Sequence, residues 1–127
     1  MSPTPHLGRF SPIFPVRDLR AALAHYASLG FETSAYRDGT FYGFADLDGI
    51  GLHLSLHDHD HHDHPFTPAG AYLFVQDPDA LAAQWNAPGV DGTTTYPALD
   101  PPDRGREGTH VDPDGNTIRF GSPVRDA

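Results

Sequence analysis

Two stretches of this chain repeat one another: residues 16–31 read VRDLRAALAHYASLGF, and residues 75–90 read VQDPDALAAQWNAPGV. A valine, an aspartate, a large aromatic residue and a glycine recur in the same order, each 59 residues after its counterpart and without a gap. Four matches in register indicate the duplication of one structural unit. The aromatic pair is Tyr26 and Trp85, which we expect to pack in the core against a sheet.

Both stretches have the sequence of a capped helix. Asp18 and Asp77 are suited to accept hydrogen bonds at the two helix N-termini, and Pro78 occupies a first-turn position that tolerates its missing N–H. Apolar residues fall at i, i+3, i+4 and i+7 from Leu19, which forms one apolar stripe. Gly30 is the residue type that commonly ends a helix. We therefore predict one helix in each repeat.

Runs of strand-forming residues surround each predicted helix. In the first half they cover residues 10–16, 32–37, 40–46 and 51–56, and in the second half residues 71–75, 93–97, 108–111 and 117–120. This order predicts an α+β protein of two tandem βαβββ modules, which form a curved mixed sheet with a concave cleft. We expect a single domain over residues 1–127, with module one at about 8–56, a His-rich linker at 57–68 and module two at about 69–121.

Alternation along the last strand of each half predicts which side chains reach the cleft. The leucines of residues 51–56 fall on one face, and His53 and Ser55 fall on the other. Arg119 has the position in the second half that His53 has in the first. We predict these side chains as ligand contacts, although an Arg on an exposed sheet face needs no ligand. His110 is a further candidate, as a ligand contact or a general base if it reaches the cleft, or else as a plain strand residue.

The charge and composition narrow the classes of partner. Eight Lys and Arg residues against seventeen Asp and Glu residues give a formal net charge of −9, which repels phosphate backbones and attracts cationic small molecules. The chain has no cysteine, which excludes disulfides and thiolate chemistry. No secretory signal and no apolar run long enough to span a membrane are visible. We expect a soluble cytoplasmic protein without nucleic-acid or membrane partners.

The predicted linker between the halves is rich in histidine. Five of the nine histidines lie within eight residues, namely His57, His59, His61, His62 and His64. One interpretation is a solvated linker of biased composition. The alternative is a loose, adventitious site for Zn, Ni or Cu, because imidazoles at alternate positions can converge on one ion. Any metal bound by this protein is then expected in the linker and not in the cleft.

Several motifs resemble one family. Val16-x-Asp18-Leu19, Tyr26 and Leu29-Gly30-Phe31 resemble the first half of the glyoxalase/bleomycin resistance/dioxygenase, or vicinal oxygen chelate, superfamily. Gly105-Arg106-Glu107, the turn Val111-Asp112-Pro113-Asp114-Gly115-Asn116 and Ile118-Arg119-Phe120 are similar to the end of bleomycin-resistance proteins in particular. The turn is shared by many superfamily members, so it indicates the fold more than the function.

The resemblance implies where a metal would bind in an enzyme of this superfamily. The four equivalent ligand positions fall at Ser11, His53, Gly70 or Ala71, and Arg119. His53 alone among them is a good ligand, and Arg119 carries a positive charge that opposes a cation. We therefore predict no cofactor and no metal in the cleft, which argues against a glyoxalase, an extradiol dioxygenase or a metal-dependent thiol transferase.

The resemblance also implies a homodimer with clefts between subunits and an exchanged N-terminal arm that departs near Pro12. Bleomycin-resistance proteins clamp the flat part of the drug between aromatic rings. Phe41 matches one ring, Tyr36 lies nearby, and Arg104 stands where the other ring would be. We predict a protein that sequesters an antibiotic or related cationic, planar natural product, for example a bleomycin-like one. The alternative is a lyase or dioxygenase-type enzyme of this superfamily that acts on a small metabolite.

Overall fold

Each repeat folds into one β-α-β-β-β unit in the computed structural model, which describes residues 7–57, 65–87, 89–90, 92–99 and 106–122. The first unit consists of β1 Ile13–Val16, α1 Leu19–Ser28, β2 Glu32–Ala35, β3 Tyr42–Leu47 and β4 Ile50–Leu56. The second consists of β5 Gly70–Phe74, α2 Pro78–Trp85, β6 Thr93–Leu99, β7 Arg106–Val111 and β8 Thr117–Gly121. The predicted fold class and repeat are therefore confirmed.

The strands form two four-stranded mixed sheets with the same topology. The first sheet has the order β1-β4-β3-β2, and the second has the order β5-β8-β7-β6. In each sheet the first and last strands of the unit are parallel, and the other pairs are antiparallel. Within the described residues the hydrogen-bonded ladders stop at each unit, so the strands do not make one continuous sheet.

The helix ends follow from their capping residues. The Asp18 side chain accepts a hydrogen bond from the Ala21 N–H, and that of Asp77 accepts one from the Ala80 N–H, both at 3.0 Å. Each bond satisfies a backbone donor that the first turn leaves without a helical partner. Gly30 has a φ of +105°, which a residue with a side chain rarely adopts, and it ends α1 as predicted. Neither helix in the described part of the chain is long and apolar enough to span a membrane.

The two units share one hydrophobic core. Helix α1 packs against β2, β3 and β4, and α2 packs against β6 and β7. The Leu29 carbonyl at the end of α1 accepts hydrogen bonds from Gln84 Nε2 at 3.0 Å and Trp85 Nε1 at 3.1 Å, both on α2. Tyr26 and Trp85 are both buried, as predicted. The helix-facing sides of the two sheets therefore enclose a common core.

The turn between β7 and β8 joins the second unit to the first. Asp112, which is almost fully buried, accepts a hydrogen bond from the Tyr26 hydroxyl of α1 at 2.7 Å. The Asn116 amide donates to the Pro15 carbonyl of β1 at 2.8 Å and accepts from the Ala69 N–H at 2.9 Å. Because both side chains make these contacts between the units, the turn stabilises the packing of one unit on the other.

Candidate functional site

The faces of β3 and β4 that point away from α1 carry a group of aromatic side chains. Leu52 and Leu54 of β4 are buried towards the helix, whereas His53 between them is half-buried on the opposite face. Phe44 lies directly across from His53, and Tyr42 lies across from Ser55. Side chains at such paired positions share one face of the sheet. The predicted orientation of residues 51–56 is therefore confirmed.

Five side chains line an open hollow of about 380 Å³ on this face, and we call it the aromatic surface: Tyr36, Phe41, Tyr42, Phe44 and His53. Neighbouring rings meet edge to face, with centroids 5.1 Å apart for Phe44 and His53 and 5.6 Å apart for Tyr42 and Phe44. Tyr36 and Phe41 remain 40% and 36% exposed. Such a hollow has the size and the lining of a small-molecule site. Ser55 lies on the same face but does not line the hollow.

His53 is held by a tyrosine on the neighbouring strand. The Tyr42 hydroxyl oxygen lies 2.8 Å from His53 Nδ1, and the two rings are perpendicular. Partial burial raises the pKa of Tyr42 above its ordinary value, so the phenol is neutral at physiological pH. The backbone N–H of His53 donates to the Pro12 carbonyl at 2.9 Å. These contacts fix the imidazole in the surface.

Charged side chains of both signs lie beside the aromatic surface. The guanidinium of Arg37 lies 5.2 Å from the centre of the Tyr36 ring, and Arg9 forms an ion pair with Asp46 at 2.9 Å. The hydrogen bond from Arg9 lowers the pKa of Asp46. None of the residues that line the hollow, all of them in the described part of the chain, is acidic. Attraction for a cation must therefore come from the net charge of −9 and from the ring faces.

A second, more polar surface lies on the β5–β8 sheet, and its lining residues are Gly70, Ala71, Tyr72, Thr117 and Arg119. Arg119 pairs with the Glu107 carboxylate, and its guanidinium lies 5.9 Å from the centre of the Tyr72 ring. Burial and then the Glu107 carboxylate raise the pKa of Tyr72. We call this set the polar surface.

The structure does not bring His53 and Arg119 together in one chain. Each residue lies on the side of its sheet away from the helices, at corresponding positions, as predicted. The aromatic surface and the polar surface share no lining residue. The physical reason is that the helix-facing sides of both sheets are packed into the common core.

The four superfamily metal-ligand positions do not fit a metal ion. Ser11 lies beside Gly51 on the first sheet, and His53 uses Nδ1 for its bond with Tyr42. Neither Gly70 nor Ala71 has a side-chain atom that can bind a metal, and Arg119 is cationic and paired with Glu107. Across the described residues, no three His, Cys, Asp or Glu side chains are grouped as a metal site requires.

His110 does not belong to either surface. It is fully buried, with Nδ1 2.7 Å from the Thr94 hydroxyl and Nε2 2.9 Å from Nε2 of His25 on α1. The prediction of a ligand contact or general base is corrected here, because His110 faces the helices whereas Thr109 pairs with Arg119 on the other face. Burial and the nearby His25 lower the pKa of His110 to about 4. The alternation along β7 was the signal that could have excluded it.

The remaining predictions concern Arg104, the linker histidines and the N-terminal arm. Arg104 and the linker histidines His59, His61, His62 and His64 lie outside the described residues. His57 is described, and its ring lies 5.1 Å from that of Phe66, over which the Arg17 guanidinium stacks at 3.8 Å. In the described part of the N-terminal arm, Arg9 also donates to the Gly49 carbonyl of the β3–β4 turn in its own unit.

Three ring residues of the two surfaces were missed from the sequence, namely Tyr42, Phe44 and Tyr72. Tyr42 and Phe44 alternate along β3, so the same period-2 argument that selected His53 could have found them. Tyr72 could have been found from the repeat, because it stands 59 residues after Ile13, the residue paired with His53.

Comparison with known proteins places this geometry in context. A bleomycin resistance determinant encoded on the transposon Tn5 superposes with a TM-score of 0.73 and 23% identity, over 92% of this chain and 98% of that one. A bleomycin-binding protein from bleomycin-producing Streptomyces verticillus, complexed with copper(II)-bleomycin, superposes with a TM-score of 0.69 and 26% identity. The match covers 94% of this chain and 98% of that one. A lactoylglutathione lyase from Agrobacterium tumefaciens superposes with a TM-score of 0.66 and 17% identity, over 92% of this chain and 95% of that one.

No curated protein matches the sequence. The family model described as the Glyoxalase/Bleomycin resistance protein/Dioxygenase superfamily matches residues 6–120, which is most of the chain. The repeat, the capped helices and the two matching sheets agree with that match. The chain therefore belongs to the glyoxalase/bleomycin resistance protein/dioxygenase superfamily.

Proposed function

We propose that this protein binds and sequesters a planar, cationic natural product of the bleomycin type, and that the aromatic surface is its binding site. The observation that carries the proposal is the grouping of five rings around an open hollow on one sheet face. Large exposed rings are costly for a monomer to leave in water, and a grouped set of them is typical of a binding site. No catalytic residue and no cofactor enter this proposal.

The chemistry of the surface supports a flat, positively charged ligand. Tyr36 and Phe41 expose part of their rings, and stacking on such rings favours a planar aromatic group. A cation gains further energy over a ring face, and the net charge of −9 raises its local concentration. The packed rings of Tyr42, Phe44 and His53 form a rigid base, so little side-chain entropy is lost on binding.

The similar proteins support the same class of ligand. The Streptomyces verticillus protein is described as binding copper(II)-bleomycin, and a second bleomycin-binding protein, complexed with bleomycin, superposes with a TM-score of 0.68. Each aligns with this chain over nearly its full length. The lyase shows likeness in fold alone, and the unsuitable metal-ligand positions give no reason to prefer that activity.

We extend this proposal to a homodimer in which the aromatic surface of one copy faces the polar surface of the other. The two surfaces are separate within one chain, and both leave large apolar side chains in solvent. Phe74, whose ring is tilted against that of Tyr72 with the centroids 4.9 Å apart, is 71% exposed, and Phe10 of the N-terminal arm is fully exposed. Burial of these rings between two copies would remove a substantial apolar area from water.

Calorimetric titration of the chelator-treated protein with metal-free and copper-loaded bleomycin tests the ligand class. We expect binding in roughly the micromolar range or tighter. Phe41→Ala should weaken it by about tenfold or more, because the stacking face is lost. Ile50→Ala is the matched control, since Ile50 is also exposed but lies off the aromatic surface. Equal loss in both variants, or no heat with either form of the drug, would contradict the proposal.

Sedimentation equilibrium tests the dimer. We expect twice the chain mass for the wild-type protein and the mass of a single chain for Phe74→Glu, because a charge would then be buried in the interface. The variant should also lose bleomycin binding, since each cleft needs both copies. A wild-type monomer that binds bleomycin with full affinity would show that the aromatic surface acts alone.

A further inference from the structure

Arg37, in the turn between β2 and β3, places a positive charge beside the aromatic surface. Its guanidinium carbon lies 5.2 Å from the centre of the Tyr36 ring, which is within the range of a cation–π contact. Tyr36 lines the hollow, whereas Arg37 itself does not. A cation that belongs to the protein therefore contacts one of the rings that a ligand in the hollow would meet.

The backbone of this turn holds Arg37 in place. Arg37 has a φ of +55°, a left-handed conformation that is uncommon for a residue with a side chain. The Tyr36 N–H donates to the Tyr42 carbonyl at 2.8 Å, and the Gly39 N–H donates to the Tyr36 carbonyl at 3.0 Å. Unfavourable backbone conformations that the surrounding structure maintains are common at ligand-binding sites. The turn thus fixes the point at which the Arg37 side chain leaves the backbone.

Arg37 forms no ion pair with another described residue. The carboxylate of Asp38, its neighbour in sequence, accepts a hydrogen bond from the Thr40 N–H at 3.0 Å. The hollow exposes only apolar atoms, and none of its lining residues is acidic. The charge in contact with the Tyr36 ring is therefore positive, although the whole chain has a formal net charge of −9.

The place of the charge within a ligand decides how strongly Arg37 opposes that ligand. Charge delocalised over a flat ring stays close to the guanidinium when the ring packs on Tyr36, and apolar walls screen the repulsion less than water does. A charge on a flexible tether can extend into solvent, where water and salt screen it. The net charge of −9 attracts both kinds of cation alike, so it does not discriminate between them.

We propose that Arg37 is a specificity-determining residue, which makes the aromatic surface accept uncharged planar rings and reject rings that themselves carry the positive charge. The inference rests on the proposed function and narrows its ligand class. The flat part of the ligand is a neutral aromatic group, and the cationic group lies on a tether that leads away from Tyr36. Flat cations of the quinolinium or acridinium type are excluded.

Two matched cations test this selection in NMR titrations of the whole chain at pH 7.5. The charge of 2-naphthylmethylammonium lies outside its ring, whereas N-methylquinolinium, which has a similar size, carries the charge in the ring. We expect the wild-type protein to bind the first more tightly. Arg37→Gln should reduce the ratio of the two affinities by about three- to tenfold, as repulsion over roughly 5–7 Å allows. This reduction should become smaller at high salt.

Arg20→Gln is the matched control. Arg20 is also exposed, but it lies on α1, which packs against the other side of the sheet. This variant changes the net charge by the same amount as Arg37→Gln, so the ratio of the two affinities should stay at its wild-type value. A ratio that is the same in the wild-type protein and Arg37→Gln, or that changes equally in Arg20→Gln, would overturn the proposal.

Metal-free bleomycin in the same titrations separates this inference from the proposed function. Bleomycin binding together with an unchanged probe ratio, or with no binding of either probe, would refute the role of Arg37 and leave the proposed function standing. A ratio that depends on Arg37 without any bleomycin binding would support the role of Arg37 and refute a bleomycin-type ligand. If neither the probes nor the drug bound, both proposals would fail.

Discussion

The buried histidine pair at the contact between the units makes the protein sensitive to acid. His25 Nε2 and His110 Nε2 lie 2.9 Å apart, so one ring must donate and the other must accept. When both rings are protonated, two N–H groups face each other and the hydrogen bond is lost. Burial disfavours the charged form of His110, and the neighbouring His25 disfavours it further. The nearby Asp112 carboxylate favours the charged form. Together these effects lower the pKa of His110 to about 4.

The magnitude follows from the difference between the folded and unfolded states. The pKa of His110 falls from its ordinary value of 6.5 to about 4 on folding. Between these values the unfolded chain binds the proton and the folded chain does not, so stability decreases as pH falls. The contribution of the neutral pair is complete above about pH 6.5 and is lost as the pH falls to about 4, which amounts to about 3 kcal/mol.

Urea unfolding between pH 8 and pH 4 measures this loss. The free energy of unfolding of His110→Gln should be lower than that of the wild-type protein at pH 8, and the gap should narrow by about 3 kcal/mol at pH 4. His53→Gln serves as the control, since His53 is only half-buried and outside the pair. A gap between wild type and His110→Gln that stays constant over this range would refute the reasoning.

Two further substitutions test the contacts that join and cap the elements. Tyr26→Phe removes the hydroxyl that donates to the buried carboxylate of Asp112. It should lower the free energy of unfolding, measured by urea titration at pH 7, by about 1–3 kcal/mol. A loss below about 0.5 kcal/mol would show that Asp112 does not depend on this hydrogen bond. Asp18→Ala removes the N-cap of α1 and should lower the thermal midpoint by an amount equivalent to about 1 kcal/mol, whereas an unchanged midpoint would contradict the capping role.

Local features of the fold could be predicted because they depend on neighbours in sequence. The N-caps Asp18 and Asp77, the stop at Gly30 and the alternation around His53 follow from short-range hydrogen bonding and strand geometry. The predicted ends of the helices and strands were less accurate. The first strand begins at Ile13 and not at residue 10.

The site could be predicted only in part because its remaining features depend on packing between distant segments. Alternation along β7 puts His110 and Thr109 on opposite faces, but the contact of His110 with His25 joins residues 85 apart in the sequence. The separation of the aromatic and polar surfaces depends on how the two units share a core, for which no local motif gives a signal. Tyr42 and Phe44 could have been found by alternation, whereas the family resemblance matches Phe41, with Tyr36 nearby.

Histidine side-chain NMR spectra of the protein, recorded during titration with metal-free bleomycin, test whether the ligand binds at the aromatic surface. His53→Gln and His110→Gln assign the two resonances that matter. We expect the His53 signals to shift with the added drug while those of buried His110 stay in place. Bleomycin binding with an unchanged His53 spectrum would contradict the assignment of the aromatic surface as the ligand site.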